Sequence, residues 1–87
     1  MRDIVFKSEA WEDFGWWTQN NPKILAKIFT LLDNTQRTPF TGLGKPEALK
    51  GNYSGYWSRR ITDEHRLIYE VTDTAIYVIS AKGHYIK

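Results

Sequence analysis

The stretch "YWSRRITDEHRLIYEVTDTAIYVISA", residues 56–81, decides the fold class of this chain. It contains three runs of β-branched and aromatic residues, "YWSRRIT", "RLIYEVT" and "IYVISA", which are typical of strands. Short polar connections, "DEH" and "DT", separate these runs, as they do in hairpins. We therefore predict an antiparallel meander of three strands.

The residues before this meander predict one strand and two helices. The apolar run "DIVFK" indicates an opening strand, and Ser8 is the predicted N-cap of the first helix. Asn21 followed by Pro22 predicts the N-cap and first position of a second helix, which continues to about Thr35. The predicted apolar faces are Trp11, Phe14 and Trp17 in the first helix, and Leu25, Ile28, Phe29 and Leu32 in the second.

Together these elements predict an α+β fold of the order β-α-α-β-β-β. The N-terminal strand leads into a two-helix hairpin that packs on one face of the antiparallel sheet. A chain of 87 residues is long enough for one core and too short for two, so residues 1–87 are expected to form a single domain.

Composition excludes several classes of site. The chain has no cysteine, and its two histidines lack metal-ligand spacing, so we expect no disulfide, metal or cofactor. No apolar run reaches the length of a membrane span, and charges occupy the first stretch where a signal peptide is apolar. These features predict a soluble, cytosolic protein of bacterial type. A net charge of +2 is too small to indicate nucleic-acid binding by itself.

Charge is concentrated around a long segment rich in glycine and proline. This segment is "TPFTGLGKPEALKGNYSG", residues 38–55, and loops of that length in a compact domain are usually functional. Between residues 37 and 60 there is a single carboxylate, Glu47. The cations in the same range are Arg37, Lys45, Lys50, Arg59 and Arg60. The pattern predicts a local basic surface with one acid inside it.

Strand parity separates the arginines of the meander. With "DEH" as a three-residue loop, Thr62 lies opposite Arg66, and Arg60 and Arg66 become near neighbours on the uncovered face. Like charges there repel each other unless an anion binds to them. The ordinary alternative is that Arg60 pairs with Glu70 or points into water. The predicted core face is Trp57, Ile61, Leu67, Tyr69 and Val71. Arg59 shares that parity, which favours a buried, carboxylate-paired or edge role.

Several long motifs in the chain also resemble those of a known protein family. The stretch "PFTGLGKPEALKGNYSGYWSRRITDEHRLIYEVTD", with "HY" at positions 84 and 85, resembles the YoeB (Txe) family within the RelE-type toxins. The resemblance implies a RelE-like microbial ribonuclease fold and a toxin that enters the ribosomal decoding site and cleaves mRNA there. It also implies a cognate YefM-like antitoxin and a homodimer. The residues it implies are Glu47, Arg66, His84 and Tyr85 as catalytic groups and Lys50, Arg59 and Arg60 as RNA-binding cations.

The chemistry of these residue types suits RNA cleavage without a metal. That reaction needs a base for the ribose 2′-hydroxyl, an acid for the departing 5′-oxygen, and cations for the charge between them. Glu47 and His84 supply the proton-transfer pair, and Tyr85 can stack on a base or bind the phosphate. Because adjacent strand residues face opposite sides, we expect the chain to bend at Gly83.

Each of these residues also has an ordinary interpretation. Glu47 is a typical solvated turn residue, His84 can be incidental near a terminus, and Tyr85 can be a packing residue. His65 is better explained as a turn residue than as the acid. The family pattern favours the catalytic roles, although Ile86 and Lys87 follow a pair at which family members often stop.

Two other functions compete with the ribonuclease. A non-catalytic ribosome or RNA binder would use the same cations to block translation without cutting RNA. A ParE-like toxin of the same superfamily would act on DNA gyrase, and the terminal "HY" argues against that alternative. For the antitoxin, exposed aromatic residues outside the core stripes, such as Trp16 and Tyr56, are expected contacts.

Overall fold

The computed structural model describes residues 1–83 of the chain. Its two helices are α1, Ser8–Asn20, and α2, Pro22–Arg37. Its five strands are β1, Asp3–Phe6; β2, Glu47–Ala48; β3, Trp57–Arg60; β4, Arg66–Val71; and β5, Ala75–Ser80. A short 3-10 turn, Gly51–Tyr53, interrupts the long loop. Neither helix in this part of the chain has the length and apolarity needed to cross a membrane.

The five strands form one sheet in the order β1-β5-β4-β3-β2. The meander β3-β4-β5 is antiparallel, as predicted, and β2 adds a short antiparallel edge. β1 pairs with β5 in the parallel direction, so one edge of the sheet departs from the predicted antiparallel pattern. The predicted α+β class and the order of its main elements are confirmed.

Helix boundaries follow the sequence signals with one exception. α2 begins at Pro22, and the Asn21 side chain caps it by accepting a hydrogen bond from the Ile24 amide at 3.4 Å. The predicted N-cap at Ser8 is wrong, because Ser8 is already helical and Lys7 occupies the cap position without a side-chain bond. The α1 ladder starts at the Lys7 carbonyl, which accepts from the Trp11 amide.

Both helices cover one face of the sheet. The buried core comprises Ala10, Phe14 and Trp17 of α1, Ile28, Leu31 and Leu32 of α2, and Ile61, Leu67, Tyr69, Ile76, Val78 and Ala81 of the sheet region. Two predicted core residues lie at the rim instead, since Trp11 is 67% and Phe29 51% exposed. Phe29 contacts the edge of the Phe14 ring, with the ring centroids 5.4 Å apart. The core stripe of α2 therefore runs through Leu31, next to the predicted line.

The β3–β4 connection is longer than the sequence suggested. Arg60 pairs directly with Arg66, so residues 61–65 form a five-residue turn and the predicted pairing of Thr62 with Arg66 is wrong. The turn is wide because the Thr62 hydroxyl accepts hydrogen bonds from the amides of Glu64 and His65. This register brings two guanidinium-bearing residues directly across the sheet from each other.

Candidate active site

The strand register assembles one row of side chains on the face opposite the helices. Glu47 pairs with Ser58, and Ser58 pairs with Ile68 on the next strand. Directly paired residues share a face, and residues two apart along a strand do so as well. Glu47, Arg60 and Arg66 therefore lie on the same face of the sheet. Two strand spacings, roughly 10 Å, separate β2 from β4, a gap that long side chains can span.

The described chain ends beside this row. The Arg66 amide donates to the Gly83 carbonyl at 2.9 Å, which continues the pairing beyond β5. Gly83 has φ +78°, a left-handed conformation that suits glycine, and this agrees with the bend expected there. His84 and Tyr85 lie outside the described residues.

Arg66 has part of its guanidinium available. Nη1 donates to the carbonyls of Thr62 at 2.5 Å, His65 at 3.1 Å and Asp63 at 3.2 Å, which fixes the side chain against the turn. Within residues 1–83, no acceptor contacts Nη2 or Nε. An anion above the sheet can therefore bind the remaining donors of an arginine that is already held in place.

Arg60 is exposed beside it. Its amide donates to the Gly44 carbonyl at 2.7 Å, which ties the strand to the long loop. Among the described residues the one ion pair joins Arg37 to Asp33, so the alternative in which Arg60 pairs with Glu70 is not what the structure shows. Two like charges thus face each other, and within residues 1–83 neither of them forms an ion pair.

The long loop supplies an acid and a lysine that lie in one groove. Glu47 and Lys50 are both exposed and line a groove of about 530 Å³ formed by residues 47–53. Leu49, only 6% exposed, anchors the segment, and its amide donates to the Tyr56 carbonyl at 2.9 Å. A buried leucine between two exposed charged residues fixes where the carboxylate and the ammonium group emerge.

Arg59 is in a different environment and is completely buried. Its guanidinium donates five hydrogen bonds within the protein. The acceptors are the Tyr69 hydroxyl, Asn34 Oδ1 and the carbonyls of Thr38, Thr41 and Leu43, at distances of 2.6 to 3.1 Å. The Tyr69 hydroxyl in turn donates to the Pro39 carbonyl at 2.8 Å.

These contacts correct the expectation that Arg59 binds RNA. A guanidinium with five internal acceptors and no exposed surface cannot reach a phosphate outside the protein. Of the three alternatives for Arg59, the buried role is the one the structure has, and its acceptors are carbonyl, amide and hydroxyl oxygens instead of a carboxylate. Two of them, Asn34 Oδ1 and the Thr38 carbonyl, lie at the carboxyl end of α2, where the helix dipole is negative and favours a cation. Arg59 fastens the start of the loop that carries Glu47.

Two α1 residues hold the segment that leads to the C-terminus. Asp13 Oδ2 accepts from the Ala81 amide and Trp17 Nε1 donates to the Ala81 carbonyl, both at 2.8 Å. Burial raises the pKa of the Asp13 carboxyl above its ordinary value, against the opposing effects of the Ala81 bond and the nearby Lys82. Sequence reasoning missed both roles, since a bond between residues 68 apart leaves no local pattern.

No cluster of three potential metal-ligating His, Cys, Asp or Glu side chains occurs in residues 1–83. The row on the face opposite the helices instead joins the carboxylate of Glu47 to the cations Arg60 and Arg66. Such a surface is suited to binding a polyanion and to transferring protons at it.

Comparison with known proteins identifies the family. A model of the YoeB-like toxin of bacterial type II toxin-antitoxin systems matches residues 6–85. This chain belongs to the YoeB-like toxin family. The match spans both helices, strands β2 to β5 with the row of Glu47, Arg60 and Arg66, and the "HY" pair.

Individual relatives are similar over nearly their full length. Toxin YoeB of Escherichia coli K12 is 48% identical over 82 residues, which cover 94% of this chain and 98% of the relative. The structure of a YoeB/ParE toxin from Agrobacterium tumefaciens superposes with a TM-score of 0.92 at 45% identity, covering 95% of this chain and 99% of the other. A YoeB-YefM complex from Staphylococcus aureus matches with a TM-score of 0.88 at 46% identity, covering 98% and 99%.

Proposed function

We propose that this YoeB-like toxin is an endoribonuclease that cleaves mRNA in the decoding site of the ribosome and thereby inhibits translation. The observation that carries the proposal is the shared face of Glu47, Arg60 and Arg66, with Gly83 bound to Arg66 immediately before His84. A base, two cations and the residue preceding a candidate acid thus converge from four separate segments.

The proposed reaction is an attack by the 2′-hydroxyl on the adjacent phosphorus. Glu47 takes the hydroxyl proton, the new bond forms from the 2′-oxygen to phosphorus, and the bond to the 5′-oxygen breaks. His84 gives its proton to that leaving oxygen, so the products are a 2′,3′-cyclic phosphate and a 5′-hydroxyl. The free donors of Arg66 stabilise the charge that develops on the nonbridging oxygens.

The remaining residues bind the RNA on either side. Arg60 and Lys50 contact neighbouring phosphates, because both are exposed cations, Arg60 on the face of Glu47 and Lys50 in the groove that Glu47 lines. Tyr85 stacks on an unpaired base or binds the phosphate. Arg59 is left out of this set since its side chain is buried.

We also propose that the reaction needs no metal at the scissile phosphate, because the two proton transfers and the cations account for each step. Ribosomes require Mg²⁺, so its removal is not an adequate test. Phosphorothioate substitution of each nonbridging oxygen is more direct. The proposal predicts that adding Mn²⁺ or Cd²⁺ does not restore cleavage of a slowed phosphorothioate substrate, whereas restoration would show a metal at that oxygen.

The function is tested with purified ribosomes that carry a defined mRNA codon in the decoding site. Wild-type protein should generate new RNA ends at that codon, and Glu47→Gln or His84→Ala should slow cleavage at least about a hundredfold. Glu70→Gln is a matched control, since it makes the same carboxylate-to-amide change in β4, on the side of Ile68 away from Arg66 and Gly83. Equal rates in all variants would refute the assignment. Arrested translation without new ends would favour occlusion, and inhibition of gyrase supercoiling would favour a ParE-like action.

Partners are proposed from the solved relatives. The Staphylococcus aureus protein has been solved as a dimer and in complex with YefM. We propose the same for this chain: a homodimer, neutralised by a YefM-like antitoxin, acting in the bacterial cytoplasm where ribosomes are found. Light scattering of the chain alone and with the co-expressed antitoxin tests both associations.

A further inference from the structure

His65 reaches from the β3–β4 turn to the last described residue of the chain. Its Nδ1 accepts a hydrogen bond from the Gly83 amide at 2.8 Å. An imidazole nitrogen that accepts carries no proton, so the proton of this neutral ring lies on Nε2. Nδ1 is therefore occupied by the main chain and is not available as a proton donor.

The carbonyl of Gly83 is held by Arg66, the residue that follows His65. The Gly83 carbonyl accepts from the Arg66 amide at 2.9 Å. Two consecutive residues thus fix both polar groups of Gly83, and the second of them carries the free guanidinium donors of the candidate active site. His84 is one peptide unit farther along, about 3.8 Å from Cα to Cα.

The imidazole itself is fixed by α1. The rings of His65 and Trp17 meet edge to face with their centroids 4.8 Å apart. Trp17 also donates to the Ala81 carbonyl, and Asp13 accepts from the Ala81 amide. The chain is therefore held at Ala81 by α1 and again at Gly83 by the β3–β4 turn.

We infer that His65 is a positioning residue: its Nδ1 holds the Gly83 amide and so sets the place of His84 relative to Arg66. This inference rests on the proposed function of His84 as the acid. Loss of the Nδ1 acceptor leaves the Gly83 amide without this partner and allows the bend at Gly83 to adopt other conformations. The equilibrium constant for the positioned bend should fall about 3- to 10-fold, the factor by which one neutral hydrogen bond changes an equilibrium. Once the released bend predominates, the fraction of molecules with His84 in place falls by the same factor, and kcat falls with it.

Two substitutions separate the hydrogen bond from ring packing. His65→Phe keeps an aromatic ring against Trp17 but has no acceptor. His65→Asn loses the ring but places an amide oxygen near the position of Nδ1. The hydrogen-bond role predicts that the Phe variant loses 3- to 10-fold in kcat with an unchanged KM for programmed ribosomes, and that the Asn variant stays within about twofold of wild type.

A second measurement does not depend on cleavage. Amide hydrogen exchange of Gly83 in the intact chain should be faster by a similar factor in the Phe variant and near wild type in the Asn variant. Equal kcat and equal exchange in both variants would overturn the inference, as would a loss in the Asn variant alone. If wild-type protein cuts no mRNA, the proposed function fails, while Gly83 exchange still shows whether His65 holds the chain.

Discussion

Replacing Arg59 by methionine should destabilise the protein strongly, although the neighbouring Arg60 can be replaced at little cost. Methionine keeps the apolar stem of the buried side chain but removes all five hydrogen bonds. Asn34 Oδ1 keeps the Leu43 amide as a donor, and the Tyr69 hydroxyl keeps the Pro39 carbonyl as an acceptor.

The magnitude follows from the groups that lose every side-chain donor. Two carbonyls, those of Thr38 and Leu43, are left without a side-chain donor, whereas the Thr41 carbonyl keeps the Thr38 hydroxyl. At about 1 kcal/mol for each, the lower end for a buried unpaired group because this loop is near water, they account for about 2 kcal/mol. The lost charge-assisted bonds to Asn34, Thr41 and Tyr69 bring the total to about 3 to 5 kcal/mol. Small domains have about 5 to 15 kcal/mol of stability in all.

Urea unfolding followed by tryptophan fluorescence measures this change. Arg59→Met should lower the unfolding midpoint by about 2 M or more, at a typical slope of 1 to 2 kcal/mol per molar urea. Arg60→Met is the matched control, because the same substitution removes an exposed cation that faces Arg66. It should change stability by less than about 0.5 kcal/mol and weaken binding to ribosomes at low salt. A stable Arg59→Met protein that has lost only RNA binding would refute the structural role of Arg59.

Two further predictions concern the supports of the site. Gly42→Ala should lower the free energy of unfolding more than Gly55→Ala does. Both glycines have a positive φ, so the backbone strain is similar. A Cβ added at Gly42 would lie 2.2 Å from Asn34 Oδ1, whereas nothing lies within 4 Å of one at Gly55. Equal losses of unfolding free energy would show that backbone strain alone matters. Burial raises the pKa of the Asp13 carboxyl above 3.8, so the folded state binds this proton more tightly than the unfolded state does. The stability that this protonation contributes is complete below pH 3.8 and is lost as the pH rises through the folded pKa. Asp13→Asn should therefore gain stability relative to wild type between about pH 4 and about pH 7 in urea titrations, and a constant difference would contradict the raised pKa.

The parts of the fold that sequence could predict are those with a local signature. Asn21 and Pro22 marked the start of α2, and alternation in "WSRRIT" placed Arg59 on the core side. The width of the β3–β4 turn was missed, because the hydroxyl bonds of Thr62 lengthen it without changing the polar character of the segment. Phe29 has core spacing but lies beyond the area that the sheet covers.

The candidate site also has features that the sequence could predict and features that it could not. Residue types and the family motif indicated Glu47 and Arg66, and the register then placed them on one face. The bonds from Asp13 to Ala81 and from His65 to Gly83 join distant segments through main-chain atoms. Any residue can supply those main-chain partners, so no sequence pattern reveals them.

Cleavage of an mRNA with sulfur in place of the 5′-bridging oxygen tests the central claim most directly. A thiolate leaves without protonation, so this substrate does not require the acid but still requires the base. We predict that His84→Ala cuts the sulfur-containing mRNA at nearly the wild-type rate, whereas Glu47→Gln remains about a hundredfold slower. An equal defect of His84→Ala on the oxygen and sulfur substrates would contradict the assignment of His84 as the acid that acts opposite Glu47.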